Sequence, residues 1–197
     1  MTQPLGVILA GGRGTRMGGR DKAMVTLGGE TLFQRAVGRL APQVAALAVN
    51  TNSGLATDLT QLPDSVSGHA GPLAGILAAL DWAAAMGARH VVTVPVDVPF
   101  FPCDLVPRLL LAGESHPMGL AIAAAEDGLH PTFGLWPVDL RPDLAAALEA
   151  GLRKVTDWTD QYGAAQAQFP ATEPSSFLNV NRPEDLARAE AALTVAR

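Results

Sequence analysis

Hydrophobic and polar positions along the chain follow two periods. Residues 5–10 ("LGVILA") form an unbroken apolar run that stops at Gly11 and Gly12, as expected of a buried strand. Residues 30–40 place Leu32, Phe33, Ala36, Val37 and Leu40 at helical spacing, and Pro42 helps to end that helix. A second strand is expected over 45–50. An Ala- and Leu-rich helix is expected over 72–86, with Pro72 at its start and Gly87 at its end. Residues 90–96 ("HVVTVPV") are β-branched and predict a third buried strand, weakened at its end by Pro95. Further on, the pattern predicts a helix over 105–112 and strands over 119–125 and 131–136, joined by the turn-prone "EDGLH". It also predicts helices over 140–150 and 182–193. In the last of these, Asn181 suits the cap, Pro183 the first turn, and Glu184 and Asp185 the positive end of the helix dipole.

Strands alternating with helices argue for a mostly parallel sheet covered on both faces. The fold expected is α/β, a Rossmann-like three-layer sandwich. With 197 residues and no internal repeat or low-complexity linker, the chain reads as a single domain over 1–197. "FPATEPSS" is its most loop-like segment.

Composition narrows the classes. Aromatic residues make up only 5%, so the core must be built from small and aliphatic side chains. A formal net charge of -5 and the lack of a polybasic tract speak against nucleic acid and against a membrane surface. An anionic substrate would therefore need a local cluster of cations and amides. The lone Cys103 allows no internal disulfide and reads as a packing residue. No charged leader precedes a long apolar run, so no signal peptide is expected, and the chain reads as soluble and cytoplasmic.

The glycine-rich stretch after the first strand, "LAGGRGTRMGGRDK", is the main chemical clue. Gly12, Gly14 and Gly18 have one residue too many for the dinucleotide fingerprint G-x-G-x-x-G, and Lys22 lacks the Gly-Lys-Ser/Thr context of a Walker A loop. What remains is a long loop at the carboxyl end of a strand, where open α/β sheets bind ligands. Bare glycine amides there can face an anion, Arg16 can make forked contacts to phosphate, and Lys22 can supply a point charge. The alternative reading is a glycine-rich turn with two solvated cations.

This stretch resembles the opening of nucleotidyltransferases that begin L-A-G/A-G and carry Arg-Met-Gly and a lysine beyond it. More closely, the chain resembles the molybdenum cofactor guanylyltransferases. The resemblance extends through "VNTN" at 49–52, "GPLAG" at 71–75, "VPVDVP" at 94–99, "HPTFGL" at 130–135, "RKV" at 153–155 and "FLNVNRPEDL" at 177–186. It implies transfer of GMP from GTP to the terminal phosphate of molybdopterin, with release of pyrophosphate and dependence on Mg2+. The alternatives are a cytidylyltransferase of the same superfamily and a non-catalytic nucleotide-binding protein on this scaffold. The partners implied are GTP and molybdopterin, with molybdoenzymes or their chaperones as recipients of the product.

By resemblance, the backbone of Leu9, Ala10, Gly11 and Gly12 contacts the nucleotide, and Lys22 binds its phosphates. Asn50 and Asp64 are further nucleotide contacts, and Asp97 is the magnesium ligand. Asn179 and Asn181 lie where nucleotide and pterin meet, and "GPLAG" is a loop near base and ribose. Arg16, Lys22 and Asp97 form the implied catalytic set. Relatives using cytidine nucleotides show "LAAG", so "LAGG" here favours a purine. Chemistry alone leaves alternatives at several positions. Asp64 after Pro63 is a turn former, Asn50 and Asn52 suit a strand end, and Asp97 could cap a turn. Asn181 could cap the last helix. Arg153 and Lys154 could meet the pterin phosphate or close a helix. His130 reads as a structural or substrate contact at a strand entrance rather than a general base.

Overall fold

The structure is a computed structural model that describes residues 3–11, 21–66, 71–172 and 175–195. Seven strands form one sheet in the order β5-β4-β1-β6-β8-β7-β9. They are β1 (Leu5–Leu9), β4 (Leu47–Asn50), β5 (Thr60–Leu62), β6 (His90–Pro95), β7 (Ala121–Ala125), β8 (Gly128–Pro137) and β9 (Ala165–Gln168). Every neighbouring pair is parallel except the two that involve β8, which alone runs against the rest. The carboxyl ends of six strands thus lie along one edge.

Side chains alternate across the strands into two apolar layers. Ile8, Val49, Val92, Val94, Ala121 and Phe133 face one layer, closed by α1 (Leu32–Leu40), α3 (Leu105–Gly113) and α6 (Pro183–Val195). Val7, Ala48, Val91, Ile122 and Trp136 face the other, closed by α2 (Pro72–Ala85), α4 (Arg141–Glu149) and α5 (Val155–Tyr162). This is the three-layer sandwich expected from the alternation of elements. Among the described residues no helix is long and apolar enough to cross a membrane.

The boundaries differ in instructive places. Glu30 and Thr31 are not helical. They pair as β3 (Glu30–Thr31) with β2 (Thr26–Leu27) in a small separate ribbon. Thr31 is instead the cap of α1, exchanging hydrogen bonds with Gln34 in a capping box that its polar neighbours disguised. The strand expected at 131–136 begins earlier, at Gly128, so His130 lies within β8 rather than at its entrance. Its pairing slips between Ile122 and Ala123, opposite the stretch containing Pro131, which has no amide to donate. The pattern does not predict β5, α5 and β9. β5 and β9 lie at the two outer edges of the sheet and carry almost no continuous apolar signal. α5 does carry one, in Val155, Trp158, Thr159 and Tyr162, at helical spacing. Cys103, expected to be a packing residue, is exposed, and its Sγ accepts a hydrogen bond from Arg39 at 3.4 Å.

His90, at the start of β6, sits against Gly119, whose φ of +80° and lack of a side chain make room for it. A Cβ there would lie 2.6 Å from His90 Nε2. That nitrogen is buried without a partner among the described residues. Burial pushes the imidazole below its usual range, outweighing a hydrogen bond with the Met118 backbone. The native state therefore resists a proton that the unfolded chain accepts, so this contribution to stability is present above about pH 6.5 and is lost as pH falls below it. Thermal melts at about pH 7.5 and 5.5 should show a larger drop for the native sequence than for His90→Gln. Equal drops would exclude His90 as a source of the dependence.

Candidate functional site

β1, β4 and β6 are adjacent in the sheet, and their carboxyl ends build the site. The Leu9 carbonyl accepts from the Val96 amide at 3.0 Å, and the Ala10 amide donates to the Asn50 carbonyl at 2.8 Å. Those two groups of the expected nucleotide-contacting backbone are therefore committed to the sheet. Gly11 is the first residue beyond it, exposed at the strand's end. Gly12 and Arg16 lie outside the described residues.

One cluster surrounds Gly11. Asn50 is 2% exposed, and its Nδ2 donates to the Leu62 carbonyl at 3.0 Å and to Asp64 Oδ1 at 2.9 Å. Asn52 grips Asp64 from the other side. Its Nδ2 donates to Asp64 Oδ2 at 2.8 Å, and its Oδ1 accepts from the Asp64 amide at 2.9 Å. Asp64 is thus more than a turn former, since both its carboxylate oxygens are held by asparagine amides. A Cβ on Gly11 would lie 3.2 Å from Asn50 Oδ1 and 3.7 Å from Asp64 Oδ1, so the first glycine of the loop borders this network directly.

The fifth residue of "GPLAG" completes the cluster. Pro72 to Gly75 form the first turn of α2, as the helix expected over 72–86 requires and in place of the loop that the resemblance implies, with Gly71 at the cap. A Cβ on Gly75 would fall 2.4 Å from Asn50 Oδ1 and 3.0 Å from Leu9 Cδ2. Only a bare Cα lets the helix approach the asparagine this closely. Gly75→Ala should therefore lower stability by about 1–3 kcal/mol through overpacking, read as a shift of the denaturation midpoint. An unchanged midpoint would mean that Asn50 is free to move aside.

A second cluster lies where β6 ends. Pro95 pairs with Leu9, and Asp97 follows two residues later. Lys22, at the start of a short 3-10 turn (Lys22–Met24), reaches across the edge of the sheet. Its Nζ donates to Asp97 Oδ2 at 2.9 Å and also to Asn181 Oδ1. The two charged side chains are 18% and 19% exposed, a pair open to solvent on one side only. The Val180 amide donates to the Asp97 carbonyl at 2.8 Å and staples the returning loop beneath the pair. The two clusters are joined by Ser53, whose Oγ donates to Asp21 Oδ2 at 3.0 Å.

Asn181 does not use its side chain as the helix cap. Asp185 does that work, with Oδ2 accepting from the Asn181 and Arg182 amides at 3.1 and 3.0 Å. Burial pushes the Asp185 carboxyl up, but these amides and the Arg188 guanidinium outweigh it and hold the carboxyl below its usual range. The Asn181 side chain is thereby released to meet Lys22. Asn179 is exposed and makes no hydrogen bond to the described residues, so the two asparagines differ in role despite their alternation.

Two sets of expected residues fall elsewhere. Arg153 donates to the Leu148 and Leu152 carbonyls at 3.0 and 2.7 Å, closing the end of α4, and Lys154 pairs with Asp157 at 3.4 Å. His130 is held by Asp127 and stacks on Phe177, ring centroids 4.1 Å apart, which is a packing role. Asn52, Asp21 and Ser53 join the site without being predicted from the sequence. Asn52 carried a signal, the N-x-N spacing at a strand end, but the partners of Asp21 and Ser53 come only from chain folding.

Asparagine amides at the end of β4, a carboxylate just past the end of β6 and an ammonium held between that carboxylate and Asn181, all on the carboxyl edge of an open sheet, are the layout of an α/β protein that handles nucleotides. The MobA-like NTP transferase domain matches residues 6–165. A molybdenum cofactor guanylyltransferase of Cereibacter sphaeroides is 52% identical over 190 residues, covering 95% of this chain and 96% of that protein. One from Rhizobium johnstonii is 47% identical over 199 residues, covering 98% and 94%. Among solved structures, the molybdopterin-guanine dinucleotide biosynthesis protein A of Archaeoglobus fulgidus shares the fold at a TM-score of 0.75 and 23% identity, over 97% of this chain and 99% of that one. The chain belongs to the MobA-like NTP transferase family.

Proposed function

We propose that this chain, working as one domain, transfers GMP from GTP to the terminal phosphate of molybdopterin and releases pyrophosphate. The observation that carries the reading is the Lys22 ammonium lying between Asp97 and Asn181, beside the Asn50–Asp64 network. Relatives near half identity that bear the guanylyltransferase name support it.

An acceptor phosphate oxygen attacks the α-phosphorus of GTP in line. A new P–O bond forms, the bond from the α-phosphorus to the α–β bridging oxygen breaks, and pyrophosphate departs with that electron pair. The nucleophile is already an anion, so no strong base is required, and the rate depends on positioning and charge neutralisation. The Asn50–Asp64–Asn52 network and Gly11 hold the nucleoside end. Lys22, with Arg16 in the glycine loop, offsets charge on the triphosphate and on the leaving pyrophosphate.

The donor set at Lys22 also fits a divalent cation. One carboxylate and one amide oxygen already converge on a positive charge, and Mg2+ takes one or two carboxylates with phosphate oxygens and water completing its shell. Asp97 and Asn181 would hold it, and when bound it supplies further charge neutralisation at the phosphates.

The test is incubation with molybdopterin, Mg2+ and each of the four ribonucleoside triphosphates, followed by product analysis. The expected product is molybdopterin-guanine dinucleotide with pyrophosphate, from GTP alone. Preference for CTP would make the chain a cytidylyltransferase, and no pyrophosphate with any triphosphate would make it a binding protein.

A further inference from the structure

β7 and β9 run parallel to β6, so their carboxyl ends open on the same edge as Asp97, on the opposite side from Asn50 and Asp64. There the structure holds a half-open cavity of about 240 Å³ between the β7–β8 turn and the chain leaving β9. Its lining includes Ala125, Glu126, Asp127, Ala171, Ser176 and Phe177. Phe177, which is 3% exposed, makes an apolar floor braced edge-on by Phe133 and Phe169 and covered by the His130 ring. His130 also bonds Asp127 Oδ1 at 2.9 Å, so the rim and the floor are pinned to each other before anything binds. The Glu126 carboxylate makes no hydrogen bond to the described residues. Phe177 precedes Val180, the residue stapled to Asp97, by three positions, at most about 10 Å of chain.

We infer that this cavity receives the pterin ring of the acceptor, an inference that rests on the guanylyl-transfer reading. Its acidic rim repels phosphate, so the acceptor's phosphate must point the other way, toward Lys22. The 2-amino-4-oxo edge of a pterin presents an N–H and an NH2 side by side, both donors. A carboxylate accepts from such a pair in parallel, as it does from the fork of an arginine. Glu126 supplies that carboxylate, Ser176 a hydroxyl, and Ala125 and Ala171 an apolar wall beside the flat ring. A pterin seated there, with its phosphate at Lys22, spans the edge of the sheet as a two-ended substrate must.

The test uses the full chain, Glu126→Gln and Ala171→Trp, the last filling the cavity from an exposed rim position without removing a hydrogen bond. Each variant should raise the KM for molybdopterin about ten- to a hundredfold, while GTP affinity by calorimetry stays within about twofold of the native value. An unchanged molybdopterin KM in Ala171→Trp would overturn the assignment, as would an equal loss of GTP affinity. A separate titration of the native chain and Ala171→Trp with free pterin, followed by pterin fluorescence, distinguishes the two readings. Saturable quenching lost in Ala171→Trp upholds the pocket even if no guanylyl transfer is found. Quenching that is absent, or equal in both proteins, overturns the pocket even if transfer is intact.

Discussion

Replacing Asp97 with alanine should cut guanylyl transfer at saturating substrates by about 10²–10³-fold, the usual loss when one preorganised charge contact to the reacting groups is removed. The fold should scarcely notice. Among the described residues the side chain makes a single ion pair, with Lys22, that is open to solvent on one side. The backbone bond that holds the loop, from the Val180 amide to the Asp97 carbonyl, does not involve the carboxylate. Turnover and a thermal melt measured on the same preparation separate the two effects. Asp97→Asn keeps the size of the side chain and an oxygen for Lys22 but loses the charge, so it should be nearly as slow as the alanine variant. A folded Asp97→Ala protein with near-native turnover would remove this residue from the chemistry.

Lys22→Ala is the second large effect and should act mainly on binding. A hydrogen bond to a charged group is typically worth about 1.5–3 kcal/mol, so triphosphate affinity should fall about ten- to a hundredfold in calorimetric titration. The loss should shrink as salt is raised, because part of the attraction is between charges open to solvent. Lys22→Arg should restore it only in part. The ammonium fits between two oxygens as a compact point donor, whereas a guanidinium is a broad planar fork that cannot occupy the same place. Unchanged GTP affinity in Lys22→Ala would leave the lysine as a structural partner of Asp97.

The candidate site was legible in part from the chain itself. Asp97 could be singled out because a carboxylate ending a β-branched run is unusual unless the strand opens on a ligand. Lys22 could be singled out because it follows a stretch of glycines too dense for an ordinary turn. Ser53 was not, since a serine after a strand has the same composition whether it bonds a carboxylate or faces water. Asn181 shows the same limit in reverse. By local rules it is a helix cap, and it loses that role because Asp185, one turn later, satisfies the same amides and leaves its side chain to a lysine 159 positions earlier.

Local pattern was enough to determine the alternation of strands and helices, the near-continuous apolar strands of a parallel sheet covered on both faces, and the position of the glycine loop at the end of β1. Each depends on periods of two or 3.6 residues and on the backbone freedom of glycine, which act over a few neighbours. Tertiary structure alone decided the reversal of β8, the capture of β5 and β9 as edges, and the meeting of Lys22, Asp97 and Asn181. Those outcomes rest on hydrogen bonds and charge pairs between residues far apart in the chain. The free energy of such pairs depends on a distance that only the folded chain sets.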